Sequence, residues 1–171
     1  MKAGVGTAST DIGGGVLVGA LVAVNAWGDV VDPRTNEIVA GLRSGKAGPL
    51  RVGSQDTFAD TLSMLKRPIG RGVLGLASRA NTVIGVIGTN ATLTKAQATK
   101  VAQMAQDGVA RTIRPAHTLL DGDVIFALST GIRKADVSIV GAFAAEAMAE
   151  AILRAVKMSA PAGGLPGLNQ P

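Results

Sequence analysis

The sequence predicts an α+β fold in which helices pack on a β-sheet. Two continuously apolar, valine-rich runs at residues 15–25 and 83–89 are typical of buried strands. Two longer segments, residues 94–113 and 136–158, place apolar residues at helical spacing. The chain of 171 residues contains 28 alanines and 23 glycines. We therefore expect a core built from small side chains, with helices lying close to the sheet.

The first predicted strand also decides how the N-terminus is interpreted. Residues 15–25 are apolar throughout and end at Asn25, which predicts a strand covered on both faces. Lys2 followed by this run loosely resembles a secretory signal, but Asp11 and a Gly/Ser/Thr stretch separate the two. The run is also far shorter than the roughly 20 residues needed to span a bilayer. We therefore expect a cytoplasmic protein with no membrane contact.

The segment between the two long strands predicts shorter elements. A brief strand is expected at residues 37–40, after a turn rich in Asp, Pro and Asn. Residues 42–55 are rich in Gly, Ser, Arg and Lys and are predicted to form a loop. A short helix is expected over residues 56–66, ending before Pro68. Residues 67–80 carry glycines and a proline and predict a mobile segment.

The second long strand is followed by a helix with clear local signals. Residues 83–89 predict a buried strand. Thr94 and Gln97 then have the spacing of a capping box, in which two side chains satisfy backbone N–H groups at a helix N-terminus. The helix should end before Pro115, and its apolar face consists of Val101, Ala105, Val109 and Ile113.

A third strand is predicted at residues 123–129, and a long helix at residues 136–158. One stripe of that helix is small enough to lie close to a sheet, and it consists of Val140, Ala144, Ala147, Ala151 and Ala155. Residues 159–171 contain Pro, Gly, Asn and Gln and predict a flexible tail. Because no internal repeat is present, residues 1–158 are predicted to form one domain.

The composition excludes several kinds of chemistry. Without cysteine there is no disulfide, thiol nucleophile or thiolate metal site. The single histidine, His117, leaves little room for a His-rich metal site, and a lone loop histidine is more often structural than catalytic. The glycines at residues 13–15 lack the Gly-Lys-Ser/Thr of a phosphate loop. The net charge of +5 is spread without basic and aromatic tracks, which argues against nucleic-acid binding.

One kind of nucleophile needs no histidine, namely an N-terminal threonine or serine. Its own α-amine, with a pKa of about 8, can act as the base once cleavage exposes it. Such a residue should begin a buried strand and follow both a flexible segment and a residue prone to backbone cleavage. Asn81-Thr82 meets these conditions. By itself the spacing more often reflects an Asn-Thr pair that simply begins a strand.

Asp121 and Asp123 form a second group of interest. Residues i and i+2 of a strand point to the same face, so two carboxylates there repel each other. Either one of them has a raised pKa or both meet a cation. A plain turn before a strand explains the pattern equally simply, and without further clustered ligands we do not expect a divalent metal.

Taken together, six segments of the chain resemble the DmpA-type peptidases. This family contains L-aminopeptidase/D-amidase-esterases, β-peptidyl aminopeptidases and 6-aminohexanoate (nylon) oligomer hydrolases. The similar segments occur in the order that the family has. They are residues 2–9, 19–25, 81–87, 93–97, 105–115 and 121–131.

The resemblance implies an αββα sandwich of the N-terminal-nucleophile type, incomplete here at its N-terminus. It implies an amide-bond hydrolase made as a precursor that cuts itself between Asn81 and Thr82. The two products, residues 1–81 and 82–171, would stay associated. The implied substrate is a small peptide or amide, and no cofactor or metal is implied.

The resemblance also implies a role for each site residue. Thr82 would be the nucleophile and Asn25 would help to form the oxyanion site. Lys2 would line the nucleophile pocket. Asp121 and Asp123 would position the nucleophile and its amine, as in the nylon-oligomer branch, whereas other branches carry Ser and Glu there. The combination of Thr with two Asp therefore favours the nylon-oligomer branch.

The resemblance covers only the C-terminal half of the family's pattern. We therefore expect association, either as a homo-oligomer or with a separately encoded N-terminal half. The alternative function is a catalytically inactive fragment that acts only as an associating half-domain. A further alternative is an acetyl-transferring relative of the same fold group, which also cuts itself before a threonine.

Overall fold

The computed structural model describes residues 3–47, 50–52, 58–68 and 81–169. Strands and helices are interspersed along these residues, which confirms the predicted α+β content. In chain order the elements are β1 (Val5–Asp11), β2 (Leu17–Asn25), β3 (Asp29–Val31), β4 (Ile38–Ala40), β5 (Gly45–Ala47), β6 (Leu50–Val52), α1 (Thr61–Leu65), β7 (Thr82–Ala91), α2 (Lys95–Thr112), β8 (Ile113–Arg114), β9 (Val124–Arg133) and α3 (Val137–Lys157).

The main sheet has four strands in the order β1-β2-β7-β9. The first three run antiparallel, whereas β7 and β9 are parallel because α2 crosses back between them. β2 and β7 pair over eight positions, from Val18 opposite Thr89 to Asn25 opposite Thr82. Residues directly opposite in an antiparallel pair point to the same face. Asn25 and Thr82 therefore share one face at one end of the sheet.

The helices α2 and α3 cover the other face of the main sheet. α3 packs against β1 and β2, α2 packs against β9, and the two helices pack on each other. The layer between them is dry and tightly filled. Its fully buried side chains include Val18, Val22, Ile87, Val101, Val109, Val140, Met148 and Ile152.

Glycines let α3 lie almost in backbone contact with its neighbours. A Cβ on Gly6 of β1 would lie 2.0 Å from the Ala151 carbonyl oxygen and 2.6 Å from the Ala155 nitrogen. A Cβ on Gly108 of α2 would lie 2.4 Å from the Ala145 carbonyl oxygen. The predicted small-residue stripe of α3 is buried throughout. The expectation of a core built on small residues and close backbone contacts is therefore confirmed.

Local signals placed the two long helices correctly. The Thr94 side chain accepts the Gln97 N–H and the Gln97 side chain accepts the Thr94 N–H, which is the predicted capping box. α3 is capped by Asp136, whose carboxylate accepts the N–H groups of Ser138 and Ile139. The capping side chains therefore fix where both helices begin.

The second face of the main sheet has no layer over it among the described residues. Burial alternates along β2 rather than extending over both faces, so the prediction of a strand covered on both faces is wrong for this part of the chain. The uncovered face, which we call the open face, carries large apolar side chains. It includes Val5, Leu17, Leu21, Ile84, Phe126 and Leu128, each about half exposed or more. The described layers are thus one helix layer and one sheet of the implied αββα arrangement.

The region between β3 and α1 departs from the prediction. Residues 42–55 were expected to form a loop, but β5 and β6 pair as an antiparallel hairpin within it. A Gly- and Lys-containing stretch has weak strand propensity, so composition alone does not indicate this pairing. The helix expected at residues 56–66 begins only at Thr61, because Asp60 caps it. Of the expected mobile segment, residues 69–80 lie outside the described residues.

A small second sheet, in the order β4-β3-β8, adjoins α3 and confirms the predicted strand at residues 37–40. Its central strand begins with Asp29, a buried carboxylate. Asp29 accepts hydrogen bonds from the Leu42 N–H at 3.1 Å, the Thr61 N–H at 2.7 Å and the Thr61 hydroxyl at 2.8 Å. Burial raises the pKa of Asp29, although these hydrogen bonds oppose the shift. This carboxylate ties α1 to the small sheet.

Asp32 links the same sheet to the end of α3. Its carboxylate meets Arg34 at 3.3 Å and the Lys157 ammonium at 3.4 Å. The hydrogen bonds from Arg34 are the main reason that the pKa of Asp32 falls to about 2. Beyond α3, the Asn169 N–H donates to the Ser159 carbonyl oxygen at 3.1 Å, so the expected tail has some local structure. Within the described ranges, no helix combines the length and apolar character that crossing a membrane requires.

Candidate active site

Thr82 lies at the start of β7 on the open face, directly across from Asn25 of β2. Beside them is a shallow cavity of about 370 Å³. Thr82 and Asn25 supply its polar side chains, and the rest of the lining is apolar or glycine: Gly4, Val5, Ala23, Val24 and Ile84. The register of β2 on β7 therefore brings a hydroxyl and a carboxamide together at an apolar cavity.

Two hydrogen bonds meet at the carbonyl oxygen of the peptide bond before Thr82. The Thr82 hydroxyl donates a hydrogen bond to the Asn81 carbonyl oxygen at 2.6 Å. The Gly122 N–H donates to the same oxygen at 3.0 Å. The Asn81 side-chain nitrogen is buried and makes no hydrogen bond within the described residues. The hydroxyl is thus held against the carbonyl group that an N-to-O acyl shift would attack.

Asp123 holds the other side of Thr82. One carboxylate oxygen of Asp123 accepts the Val83 N–H at 2.8 Å, and the other lies 3.5 Å from Nδ1 of His117. Burial is the largest cause that raises the pKa of Asp123, and the charge of Asp121 adds to it. The predicted raised pKa within the acidic pair is therefore confirmed, with desolvation rather than repulsion as its main cause.

Asp121 is engaged differently. Its carboxylate accepts the Thr118 N–H at 3.0 Å and the Thr118 hydroxyl at 2.7 Å, which closes the turn before β9. Its backbone forms a parallel bridge with Asn81. The two acids therefore bracket Gly122, one tied to its own turn and the other tied to β7.

The structure adds three participants that the sequence did not indicate. His117, treated as a structural loop residue, contacts Asp123 and adopts a left-handed backbone conformation with a φ of 55°. Gly122 and Val83 take part through their backbone N–H groups. Residue identity does not show which backbone N–H groups act as donors, so Gly122 and Val83 could not be found from the sequence. A histidine shortly before an Asp-Gly-Asp motif was a usable signal for His117.

Of the five side chains predicted for the site, the structure brings Thr82, Asn25 and Asp123 to the same end of the sheet. Asp121 is near them through its backbone, with its carboxylate turned to Thr118. Lys2 lies outside the described residues. Among the side chains that the structure describes, no three of His, Cys, Asp or Glu gather as metal ligands would. The arrangement offers a hydroxyl nucleophile, a carboxamide, backbone donors and a carboxylate of raised pKa.

Comparison with known proteins identifies the family. The model of peptidase family S58 matches residues 1–169. An uncharacterized aminopeptidase of Mycobacterium leprae is 42% identical over 97% of this chain and 47% of its own length. A 6-aminohexanoate-oligomer endohydrolase of Kocuria sp. is 29% identical over 84% of this chain and 42% of its own length. The chain belongs to peptidase family S58, as the resemblance in the sequence implied.

A solved structure supports the fold assignment. The L-aminopeptidase D-Ala-esterase/amidase of Ochrobactrum anthropi, described as a variant of the Ntn hydrolase fold, aligns over 96% of this chain and 43% of its own. The TM-score is 0.59 at 20% identity, a likeness that shows the fold alone. The chain spans about half the length of the curated relatives it matches.

Proposed function

We propose that this chain is the nucleophile-bearing part of a self-processing N-terminal-threonine hydrolase that cleaves small peptide or amide bonds. The observation that carries the proposal is the Thr82 hydroxyl held 2.6 Å from the Asn81 carbonyl oxygen, at the edge of a cavity on the open face.

The first step is self-cleavage. The Thr82 oxygen attacks the Asn81 carbonyl carbon, the C–N bond breaks, and the hydroxyl proton ends on the Thr82 nitrogen. Water then hydrolyses the resulting ester, which regenerates the hydroxyl and leaves a carboxylate on Asn81. Thr82 becomes an N-terminal residue with its own amine, whose ordinary pKa of about 8 makes it a suitable base near neutral pH.

The second step repeats this chemistry on a substrate. The Thr82 amine takes the hydroxyl proton as the oxygen attacks the substrate carbonyl, and it then gives that proton to the leaving amine. Water then hydrolyses the acyl ester on Thr82, which releases the acid and regenerates the hydroxyl. Asn25 donates to the oxyanion, a contribution of about 3–4 kcal/mol in comparable sites. The Asp123 carboxylate stabilises the ammonium form of Thr82, and Asp121, whose own carboxylate is bound to Thr118, supports it by fixing the turn before β9. Lys2 is proposed to line the nucleophile pocket, and this assignment rests on the sequence resemblance alone.

Among the described residues, the lining of the cavity is apolar apart from the side chains of Thr82 and Asn25, which favours an acyl group with an apolar carbon chain. The names of the relatives, aminopeptidase and 6-aminohexanoate-oligomer endohydrolase, support amide bonds as the target. The combination of Thr82 with Asp121 and Asp123 favours the second of these activities, hydrolysis of 6-aminohexanoate oligomers. A cytoplasmic location is part of the proposal.

The test compares the intact mass and the amide turnover of the unmodified chain with those of two variants. Thr82→Val keeps the shape of the side chain and removes the hydroxyl, so both cleavage and turnover should disappear. Thr82→Ser keeps the hydroxyl and should still produce pieces that end at Asn81 and begin at residue 82. A chain that stays whole after long incubation, or a Thr82→Val variant that turns over substrate, would contradict the proposal.

The open face favours a second candidate function, that of a non-catalytic half-domain which associates with another chain. Exposed apolar surface of this kind promotes self-association or binding to a partner. The partner would be a second copy or a separately encoded half. Light scattering together with amide turnover separates the two candidates, because a monodisperse and active protein would contradict a purely associating role.

A further inference from the structure

We propose that the backbone N–H of Gly122 is the oxyanion donor for self-cleavage at the Asn81–Thr82 bond. The inference rests on the proposed self-processing and assigns a donor to its first step. It separates this step from substrate turnover, in which Asn25 is the proposed donor. The two donors lie on opposite sides of β7, since β2 carries Asn25 and the segment leading into β9 carries Gly122.

The geometry is that of an oxyanion contact already in place. The Gly122 N–H points at the Asn81 oxygen from 3.0 Å, and the Thr82 hydroxyl lies 2.6 Å from that same oxygen. As the hydroxyl oxygen adds to the carbonyl carbon, the C=O π pair moves onto the Asn81 oxygen. Negative charge therefore develops on the atom that Gly122 already contacts, which is the arrangement that stabilises a transition state.

The Gly122 amide is fixed on both sides. Asp121 precedes it and is bound to the Thr118 N–H and hydroxyl. Asp123 follows it and accepts the Val83 N–H at 2.8 Å. A donor that cannot turn away needs no reorganisation when charge appears. The acidic pair thus acts in the uncut chain by positioning the amide between its two members.

The identity of residue 122 is explained by space rather than by backbone conformation. Gly122 is not one of the glycines with positive φ, so other residues could adopt its backbone. A Cβ at this position would lie 3.0 Å from the Thr82 hydroxyl oxygen and 3.8 Å from the Asn81 oxygen. A side chain here would therefore crowd the Thr82 hydroxyl, whereas its contact with the Asn81 oxygen would be an ordinary van der Waals contact.

The decisive experiment replaces the amide of residue 122 by an ester. Cell-free translation with glycolic acid at position 122 removes the N–H and leaves the backbone shape nearly unchanged. Self-cleavage is followed by mass spectrometry over time. We expect it to slow by about 100-fold or more, the usual effect of removing one oxyanion donor. Breakage of the introduced ester would give a piece ending at Asp121, which differs in mass from one ending at Asn81.

A matched control removes a backbone donor from β7, the strand that Thr82 begins, at the end far from the cleavage site. Lactic acid in place of Ala91 deletes the N–H that bonds to the Thr89 hydroxyl at the far end of β7. This chain should cleave at the unmodified rate. Circular dichroism and thermal melting of both ester chains, compared with those of Thr82→Val, establish that they are folded.

A second pair of variants tests the space argument. Gly122→Ala should slow cleavage because its methyl group displaces the Thr82 hydroxyl. The control is Gly88→Ala, on the same face of β7 as Thr82. Its Cβ would meet only the end of the Leu128 side chain, at 3.7 Å, so cleavage should be unchanged.

The outcomes separate this inference from the function on which it rests. If the unmodified chain does not cleave, the proposed self-processing fails and the inference fails with it. If the unmodified chain cleaves and the residue-122 ester cleaves equally fast, only the inference is overturned. Equal slowing by the esters at 122 and 91 would also overturn it, because the effect would then come from a weakened strand. Slowing by the 122 ester alone supports it.

Discussion

The two faces of the main sheet are built by the same four strands but differ in every other respect. The helix-covered face carries small and β-branched side chains such as Val18, Val22 and Ile87, all fully buried. The open face carries exposed apolar side chains, including Leu21 at 48%, Ile84 at 49% and Phe126 at 58% exposure. The candidate site is on the open face, at the end where Thr82 begins β7.

The covered face therefore supplies most of the stability, and the open face carries the groups of the candidate site. The covered face gains its stability from dense packing, in which helix backbones approach the sheet through glycines. The open face contributes little to the packing of the described residues but presents the Thr82 hydroxyl, the Asn25 carboxamide and the cavity. Substitutions on the two faces should therefore have different consequences, even where residue types match.

The largest expected difference is between two isoleucines of β7 that point to opposite faces. Ile87→Ala should cost about 2–5 kcal/mol in the free energy of unfolding, because it leaves a cavity under the helices. Ile84→Ala should cost less than about 1 kcal/mol, because half of that side chain is already in water. Urea unfolding of both variants in the Thr82→Val background, which lacks the hydroxyl proposed for self-cleavage, measures the contrast.

An equal loss for the two isoleucines would break the comparison. It would mean that the open face is buried in solution, either by another chain or by further residues of the same chain. Repeating the unfolding at several protein concentrations would then distinguish association from intramolecular packing, since only association makes the midpoint depend on concentration.

A smaller contrast is expected between two glycines. Gly6→Ala forces a methyl group to within 2.0 Å of the Ala151 carbonyl oxygen and should destabilise the fold by about 1–3 kcal/mol or more. Gly88→Ala adds its methyl group on the open face, where the nearest atom is 3.7 Å away, and should change stability by less than about 0.5 kcal/mol. Thermal melts of the two variants provide the measurement, and a Gly6→Ala variant as stable as Gly88→Ala would refute the close-contact argument.

The smallest effect concerns acid sensitivity on the helix side, where Asp32 joins the small sheet to Lys157 of α3. Its pKa of about 2 in the folded state lies below 3.8, the ordinary value for an aspartate side chain. A lowered carboxyl pKa stabilises the fold above the unfolded value, and this contribution is lost as pH falls through the folded one. The Tm of the unmodified chain should therefore exceed that of Asp32→Asn at pH 5, and the two should converge near pH 2. A constant difference across this range would refute the assignment.

Local signals allowed much of the fold to be predicted. The capping box of Thr94 and Gln97 and the alanine stripe of α3 each depend on neighbours a few residues away, and each was found where expected. The continuous apolar character of β2 was interpreted correctly as strand but wrongly as covered on both faces. Sequence shows that both faces are apolar, whereas coverage depends on which other residues pack there.

The candidate site could be predicted only in part, for the same reason. Thr82 and Asn25 were singled out, and the register of β2 on β7 brings them together. The contact of Asp123 with Val83 spans 40 residues, and the Gly122 donor depends on the same alignment. Such contacts follow from strand register and from backbone atoms, which residue identity does not encode.

The place of β7 between β2 and β9 has one further consequence. A cut at the Asn81–Thr82 bond would leave β2 on one polypeptide and β7 and β9 on the other, joined by the eight-position ladder of β2 on β7. Unfolding would then change from a unimolecular to a bimolecular reaction. The midpoint of thermal unfolding would rise with protein concentration after cutting, although no contact in the native fold had changed. Strand order alone would thus give the protein a stability that depends on its own abundance.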